Sequence, residues 1–252
     1  DSQTIKGFFK RFYQPDRIVI AVAGNVAHDR FVERVGPVFS TIAASNGFAP
    51  RRVPVTGGGI QLKHRDLEQS HICLGMNGLS VGDPRRFAAS LINTIFGGNM
   101  SSRLFQIIRE QRGLAYSIYS FLTAFADSGM FGVYTAVAPT DIDTSVDLIM
   151  DQIRRLKREP VSDGVLADAK AFTKGNLLMA VESPDNQMVR LAQNEYYFGR
   201  TIPIQSVIDN IDAVTAADLL CLAEDLWRGG NAALTMLGAG VEETDISGQL
   251  AL

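Results

Sequence analysis

The chain has 252 residues, 46% of them hydrophobic and 20% charged, and its 24 basic and 27 acidic residues give a net charge of −3. This composition is ordinary for a globular protein, and no basic run or basic-aromatic stripe indicates a nucleic-acid-binding surface. Cys73 and Cys221 lie far apart and indicate neither a disulfide framework nor a zinc ribbon, and no run of about 18 apolar residues predicts a transmembrane helix.

The first predicted element is a helix at the very start of the chain. The first residue is Asp1 and not an initiator Met, and the opening tetrapeptide DSQT is typical of a helix N-terminus rather than of a signal peptide. The apolar side chains that follow have helical spacing, namely Ile5, Phe8, Phe9 and Phe12. Pro15 ends the helix, and the β-branched run over residues 17–23 predicts a buried strand before Gly24. We therefore expect a chain that was cut or processed at its front.

The same arrangement returns at the other end of the chain. Thr215 and Asp218 form a T-x-x-D capping signal, and a helix, a turn and a strand over residues 232–237 follow it. One offset of 214 residues aligns the two segments without a gap, placing Ile5 on Leu219, Phe8 on Leu222, Phe12 on Leu226, Tyr13 on Trp227 and Gly24 on Gly238. Helix-turn-strand units are common, so a chance likeness is the alternative. The pattern favours an internal duplication with an incomplete first copy and a complete second one.

The remaining elements suggest where the two copies meet. Residues 28–39 are predicted to form a short helix, and residues 43–59 are rich in small residues, Gly and Pro, which is typical of a linker. We therefore predict that residues 1–42 are the C-terminal remnant of a first domain. Residues 43–59 would be the linker and residues 60–252 the second domain.

The second domain shows strands first and helices later. Alternation over residues 60–64 and 72–76 predicts a hairpin that turns at Asp66-Leu67-Glu68. Pro84 opens a helix that Gly97-Gly98 ends, and Ser101-Ser102 are expected to cap the next helix, over residues 103–110. Two further strands are predicted at 116–123 and 130–138, and then helices only, at 144–158, 163–181, 185–198, 203–211 and 215–227, before the final strand. The expected fold class is α+β, an antiparallel-rich sheet with helices packed on one face.

The histidines offer little for a metal ion. A hydrolytic zinc site needs imidazoles and carboxylates that converge on one ion. His71-x-Cys73 on one strand face, with His64 across the predicted hairpin, is the best candidate within this chain. An ordinary half-buried pair explains that alternation better, so we expect no metal ligands in this chain.

The segment from Phe96 to Tyr116 is the most unusual in composition. It places Arg103, Arg109 and Arg112 on or just after a helix and Tyr116 at the start of a strand. An Arg at a helix end and a Tyr at a strand edge can both donate hydrogen bonds to a peptide carbonyl. From the residues alone a plainer interpretation is favoured, in which Arg109 caps helix carbonyls or pairs with a Glu and Tyr116 belongs to the core.

The motifs resemble a known family. Residues 96–135 closely resemble the second-domain signature of the pitrilysin/insulinase family of zinc peptidases, closest to mitochondrial processing peptidase and its bacterial relatives. FKRFYQPD at 9–16 and AGNV at 23–26 look like the end of that family's first domain. The helical part of its second domain is matched by KGNLL at 174–178, ES at 182–183 and YFGR at 197–200.

The resemblance implies two similar α+β domains that close around an extended or unfolded peptide. The family's zinc site is an H-x-x-E-H motif plus a downstream Glu on the first domain, which would precede Asp1. From the second domain an Arg and a Tyr seven residues apart carry over to Arg109 and Tyr116. They would reach the bound peptide, with Tyr116 near the scissile carbonyl. The short segment 97–100 resembles the catalytic-type subunit and not the partner subunit, which carries a long glycine-rich insertion.

These implications define the expected function. The parent protein is expected to be a zinc-dependent endopeptidase acting on peptides or unfolded polypeptide, and this chain alone is expected to bind no zinc and to be inactive. The alternative is a non-catalytic scaffold or peptide-binding subunit, since some family members keep the fold without the zinc ligands. A homodimer or heterodimer stays open. The cytoplasm is favoured over the periplasm because free cysteines are tolerated there.

Overall fold

The structure is a computed structural model that describes residues 1–42, 52–55, 57–228, 232–241, 248 and 250. Two compact units are present: Asp1–Arg52 with Asn176–Ile202, and Val53–Gly175 with Pro203–Leu252. Most of the predicted linker, residues 43–51 and 56, lies outside the described residues, so the division at 42 and 60 stays a prediction. Within the described residues, none of the helices has the length and apolar character needed to span a membrane.

The helices were largely predicted from the sequence. The structure contains α1 (Ser2–Phe12), α2 (His28–Phe39), α3 (Arg86–Phe96), α4 (Ile142–Arg158), α5 (Asp163–Val181), α6 (Pro184–Phe198), α7 (Ile204–Ala213) and α8 (Ala216–Leu226). The predicted helices agree with these to within two residues at each end. This agreement follows from strong local signals, since the capping residues and the apolar spacing both lie within each segment.

The first unit contains helices without a core of their own. The Asp1 carboxylate accepts a hydrogen bond from the Thr4 amide at 2.7 Å and so caps α1, as expected of that N-terminus. No residue of α1 or α2 is buried. The predicted strand at residues 17–23 is wrong: Pro15–Arg17 form a 3₁₀ turn, and residues 18–23 pair with no strand among the described residues. A strand requires a neighbour for its backbone groups, and apolar composition alone does not provide one.

The second unit is built on a five-stranded sheet in the order β1-β5-β2-β4-β3. Its strands are β1 (Gly59–His64), β2 (Ser70–Gly78), β3 (Ala115–Ala124), β4 (Gly129–Val137) and β5 (Ala233–Gly238). The predicted pair of strands at 116–123 and 130–138 is confirmed as the antiparallel hairpin β3–β4.

The hairpin predicted over residues 60–76 is wrong. Strand β5 lies between β1 and β2, parallel to β1 and antiparallel to β2. Leu234 of β5 stands opposite Ile60 of β1 and Leu74 of β2 and is 1% exposed. The apolar alternation of β5 fits the centre of the sheet. This last strand therefore pairs with both β1 and β2, which were predicted to pair with each other because they are close in sequence.

The core forms where α3, α4 and α8 cover one face of the sheet. The Phe131 ring of β4 lies 5.6 Å from the Phe96 ring of α3 and 5.0 Å from the Trp227 ring after α8. The residues predicted to point inward from α4 are all buried: Val146, Ile149, Ile153 and Leu156. The predicted fold class, α+β with helices on one face of an antiparallel-rich sheet, is therefore confirmed.

The two ends of the chain match as helices and differ in burial. Helices α1 and α8 each have 11 residues and occupy corresponding positions at the offset found in the sequence. Gly24 and Gly238 correspond too, with φ of +133° and +157°. The exposed apolar face of α1 has side chains 51% to 69% exposed, at Ile5, Phe8, Phe9 and Tyr13; the counterparts in the second copy are at most 2% exposed, at Leu219, Leu222, Ala223 and Trp227. The N-terminal segment thus exposes apolar residues whose aligned counterparts near the C-terminus are buried, and the duplication itself stays a prediction.

The N-terminus of α8 yields a prediction for stability and its pH dependence. The Thr215 and Asp218 side chains form a reciprocal capping box, so Asp218→Ala should lower the free energy of unfolding by about 1 kcal/mol at neutral pH. Hydrogen bonds from the Thr215 amide and hydroxyl lower the pKa of the Asp218 carboxyl. The stabilisation is therefore present above the ordinary carboxyl pKa of about 4 and is lost as the pH falls through the lower folded-state pKa.

Urea unfolding from neutral pH down to about pH 2.5 measures this effect. Glu224→Ala is the control, because it removes an exposed carboxylate from the same helix outside the capping box. A difference between Asp218→Ala and the unmodified chain that stays constant over the whole pH range would contradict the linkage.

Candidate functional site

The segment after Gly98 that carries Arg109 is a helix of unusual geometry. Residues 103–111 are helical, as predicted, but Phe105–Gln111 form a π-helix. The expected cap is wrong: the Asn99 side chain accepts from the Ser101 amide at 2.7 Å, and the Ser102 hydroxyl donates to the Asn99 carbonyl at 2.5 Å. A π-helical turn is rare and is found often at functional sites. Local sequence signals do not reveal it.

Tyr116 lies at a second irregularity. In the pairing of β3 with β4, Ala115 stands opposite Val137 and Ser117 opposite Ala136, so Tyr116 is the extra residue of a β-bulge. A bulge redirects the side chain it carries. The Tyr116 side chain is 79% exposed, so the interpretation that placed it in the core is wrong.

The structure brings Arg109 and Tyr116 into contact. The Arg109 guanidinium carbon lies 4.6 Å from the centre of the Tyr116 ring and 4.7 Å from that of Phe105. Both distances suit a cation–π contact. Of the three arginines singled out in this segment, Arg103 lines a groove with α5 and Arg112 is exposed at the end of the π-helix.

The hydrogen-bond donors of this pair are largely free. The Arg109 Nε lies 3.6 Å from Glu110 Oε1, so the predicted pairing of Arg109 with a Glu exists as one long contact. Among the described residues, no hydrogen bond engages the terminal guanidinium nitrogens of Arg109 or the Tyr116 hydroxyl. The site therefore offers a planar set of N–H donors beside a phenolic O–H, which suits a carbonyl or carboxylate ligand.

Phe105 is a member of this site that was not among the residues predicted from the sequence. The Phe and the Arg are four residues apart, and side chains at this spacing lie on the same face of a helix. That spacing was a signal that could have found it. The contact with Tyr116 depends on the bulge in β3, and no spacing rule predicts that.

A close backbone contact holds the strand that carries Tyr116. Gly97 ends α3, as predicted, and its carbonyl accepts a hydrogen bond from the Ser120 amide at 3.1 Å. The Ser120 hydroxyl donates to Asn93 Oδ1 at 2.8 Å. A Cβ at Gly97 would lie 2.6 Å from the Ser120 nitrogen. Glycine is required here by the approach of α3 to β3, a role beyond ending the helix.

The histidine–cysteine candidate does not assemble. His71 Nδ1 lies 2.8 Å from the Tyr134 hydroxyl, a hydrogen bond within the sheet, and Cys73 is exposed. Strand β5 separates His64 on β1 from both of them. In the part of the chain that the structure describes, no three His, Cys, Asp or Glu side chains form a group that could hold a metal ion.

Comparisons with known proteins agree with this architecture. A family model described as the peptidase M16 inactive domain matches residues 1–172. An uncharacterized zinc protease of Streptomyces coelicolor is 34% identical over 242 residues, 93% of this chain and 52% of that protein. The uncharacterized zinc protease YmxG of Bacillus subtilis is 32% identical, over 90% of this chain and 55% of its own length. The chain spans about half the length of these relatives.

Solved structures share the fold. A peptidase M16 inactive domain from Pseudomonas fluorescens superposes with a TM-score of 0.77 at 19% identity, covering 85% of this chain and 52% of that one. A chain of a structure described as complex III2 from Candida albicans gives a TM-score of 0.75 at 18% identity, covering 90% of this chain and 56% of its own length.

The contact at Gly97 yields a stability prediction. Gly97→Ala should lower the free energy of unfolding by about 1–3 kcal/mol, because the new methyl group meets the backbone of Ser120 and the strand must shift. Gly82→Ala is the matched control, since a Cβ there has no neighbour within 4 Å. Denaturant titrations compare the two variants, and equal unfolding midpoints would contradict a structural requirement for glycine at position 97.

Proposed function

Because the chain belongs to the peptidase M16 family, as the domain that the family model describes as inactive, we propose that it is the substrate-holding half of a zinc endopeptidase. The relatives named zinc proteases are about twice as long as the part matched. The zinc ion and its H-x-x-E-H motif are proposed to lie in a first domain upstream of Asp1. Among the described residues, no group of three or more His, Cys, Asp or Glu side chains could hold a metal ion. We propose that this chain binds and orients the peptide.

The observation that carries the proposal is the contact between half-buried Arg109 and exposed Tyr116, whose hydroxyl and terminal guanidinium nitrogens meet no hydrogen-bond partner among the described residues. The guanidinium can donate to a backbone carbonyl of an extended peptide, a charge-assisted hydrogen bond. The Tyr116 hydroxyl can donate to the oxygen of the scissile carbonyl as negative charge develops on it. One such donor is typically worth about 2.7–4 kcal/mol of transition-state stabilisation. A pair of this kind binds any peptide backbone, which suits unfolded polypeptide as the substrate.

The exposed face of α1 supports a further domain in the parent. Its apolar residues correspond to positions that are buried in the second copy. We propose that the sheet of the first domain covers this face, as α8 is covered in the second. Burial of large apolar side chains contributes about 1.5–3 kcal/mol each, which gives this contact a substantial share of the parent's stability.

A second candidate is a scaffold or peptide-binding subunit without proteolytic activity. It is supported by the description of the matched domain as inactive. The coding sequence upstream of Asp1 separates the two candidates, because the scaffold lacks an H-x-x-E-H motif and shows no chelator-sensitive proteolysis. We also propose that the parent protein is cytoplasmic and that it assembles as either a homodimer or a heterodimer.

The role of Tyr116 predicts a specific kinetic effect. In the full-length parent, Tyr116→Phe should lower kcat about 100- to 1000-fold with little change in stability, because one hydroxyl donor to the developing oxyanion is lost. Tyr119→Phe on the same strand is the matched control, an exposed tyrosine whose ring lies against Tyr134 at 5.3 Å. Cleavage of a quenched fluorescent peptide measures both variants. If kcat is unchanged in Tyr116→Phe, Tyr116 has no part in the reaction.

The location of zinc predicts the behaviour of the isolated chain. Purified alone, it should cleave no peptide at any zinc concentration, while the parent should be active and lose activity with a chelator. Zinc-dependent turnover by the isolated chain would overturn the proposal that the metal site lies upstream.

A further inference from the structure

We propose that Phe105 is the positioning residue of this site, and that its ring holds the Arg109 guanidinium beside Tyr116 before any peptide binds. This inference rests on the proposed function for its effect on catalysis. The contact itself can be tested without any catalytic activity.

The geometry shows one guanidinium in contact with two rings. The Arg109 guanidinium carbon is 4.7 Å from the Phe105 ring centre and 4.6 Å from the Tyr116 ring centre. The Tyr116 side chain is 79% exposed. Phe105 is half-buried and lies at the first position of the π-helix that carries Arg109. Phe105 is thus the more firmly held of the two rings, and it is the one that can fix the arginine.

The ion pair at Arg109 does not explain its orientation. Its partner Glu110 is its neighbour in sequence, the contact is 3.6 Å through Nε alone, and the Glu110 side chain is 52% exposed. Exposed ion pairs contribute little and are screened by salt. A ring that packs on the guanidinium face leaves the N–H groups in the guanidinium plane free, so the aromatic contact orients Arg109 without consuming its donors.

The local backbone holds Phe105 in place. Its neighbour Leu104 and the next helical turn at Ile108 are both 0% exposed, so the core anchors the helix on the face next to Phe105. The Leu114 amide donates to the Ile108 carbonyl at 2.9 Å and ties the end of the π-helix to the turn before β3. Arg109 has a long side chain whose ordering costs rotamer entropy. A ring already in place removes much of that cost from the binding step.

The experiment compares Phe105→Leu, which removes the ring, with Phe105→Tyr, which keeps it. In the isolated chain, the NMR chemical shift of the Arg109 Nε–H proton shows whether the guanidinium lies against the rings, because aromatic ring currents shift nearby protons. Phe105→Leu should move this signal towards the position of a free arginine, and Phe105→Tyr should leave it in place. Phe125→Leu, at an exposed phenylalanine of the same unit, is the matched control and should not move it. Phe105→Met serves in place of Phe105→Leu if that variant does not fold.

In the full-length parent, Phe105→Leu should raise KM about 5- to 30-fold with kcat nearly unchanged, because Arg109 donates to the bound peptide, and Phe105→Tyr should restore KM to within about two-fold of the unmodified enzyme. A purely structural role for Phe105 would instead lower the melting temperature without this split between kcat and KM. An unmoved Arg109 signal in Phe105→Leu overturns the contact, whatever the activity.

Arg109→Ala in the parent separates failure of the inference from failure of the proposed function. If Arg109→Ala raises KM and Phe105→Leu does not, Arg109 acts without help from Phe105 and the positioning role is overturned. If Arg109→Ala also leaves KM unchanged, the proposed function of Arg109 is overturned, and Phe105 has nothing to position.

Discussion

The position of β5 is the constraint on which the second unit depends. The last strand of the chain enters between β1 and β2 and pairs with both, so the sheet is continuous only when the two ends of this unit have met. Helix α8 leads directly into β5, and Trp227 between them packs against Phe131 at 5.0 Å. A contact this distant in sequence closes a long loop, whose entropy only a large buried core can offset. The apolar faces of α3, α4 and α8 provide that core.

The candidate site lies at the edge of the same sheet that β3 forms, and it is built from local irregularities. The π-helix carries Phe105 and Arg109, and the bulge in β3 carries Tyr116. The contact between Gly97 and Ser120 fixes the strand relative to α3. Each of these features is a departure from regular structure that only the surrounding regular structure can hold in place. The rigid sheet and helices therefore position a pair of donors that would otherwise be mobile.

The two ends of the chain carry helices with the same apolar pattern in different surroundings. Helix α1 and helix α8 match in length and in capping, yet the face that is buried in α8 is exposed in α1. The run at residues 18–23 is as apolar as β5 but lies without a partner among the described residues. Membership of the peptidase M16 family gives this difference a functional meaning, since the proposed zinc-binding copy would supply the missing surface. In the proposed parent protein, two domains share one active site: the first carries the zinc chemistry and the second binds the peptide.

The sequence by itself determined the helices, the fold class and the R-x6-Y pair, because each depends on residues within one segment or on one fixed spacing. Only the tertiary structure decided that β5 separates β1 from β2, since strand order depends on contacts between distant parts of the chain. The bulge at Tyr116 depends on its register with β4, and the requirement for glycine at position 97 depends on the approach of Ser120. The spacing of Arg109 and Tyr116 was visible in the sequence, but their contact, and the place of Phe105 in it, depend on how a helix and a strand meet.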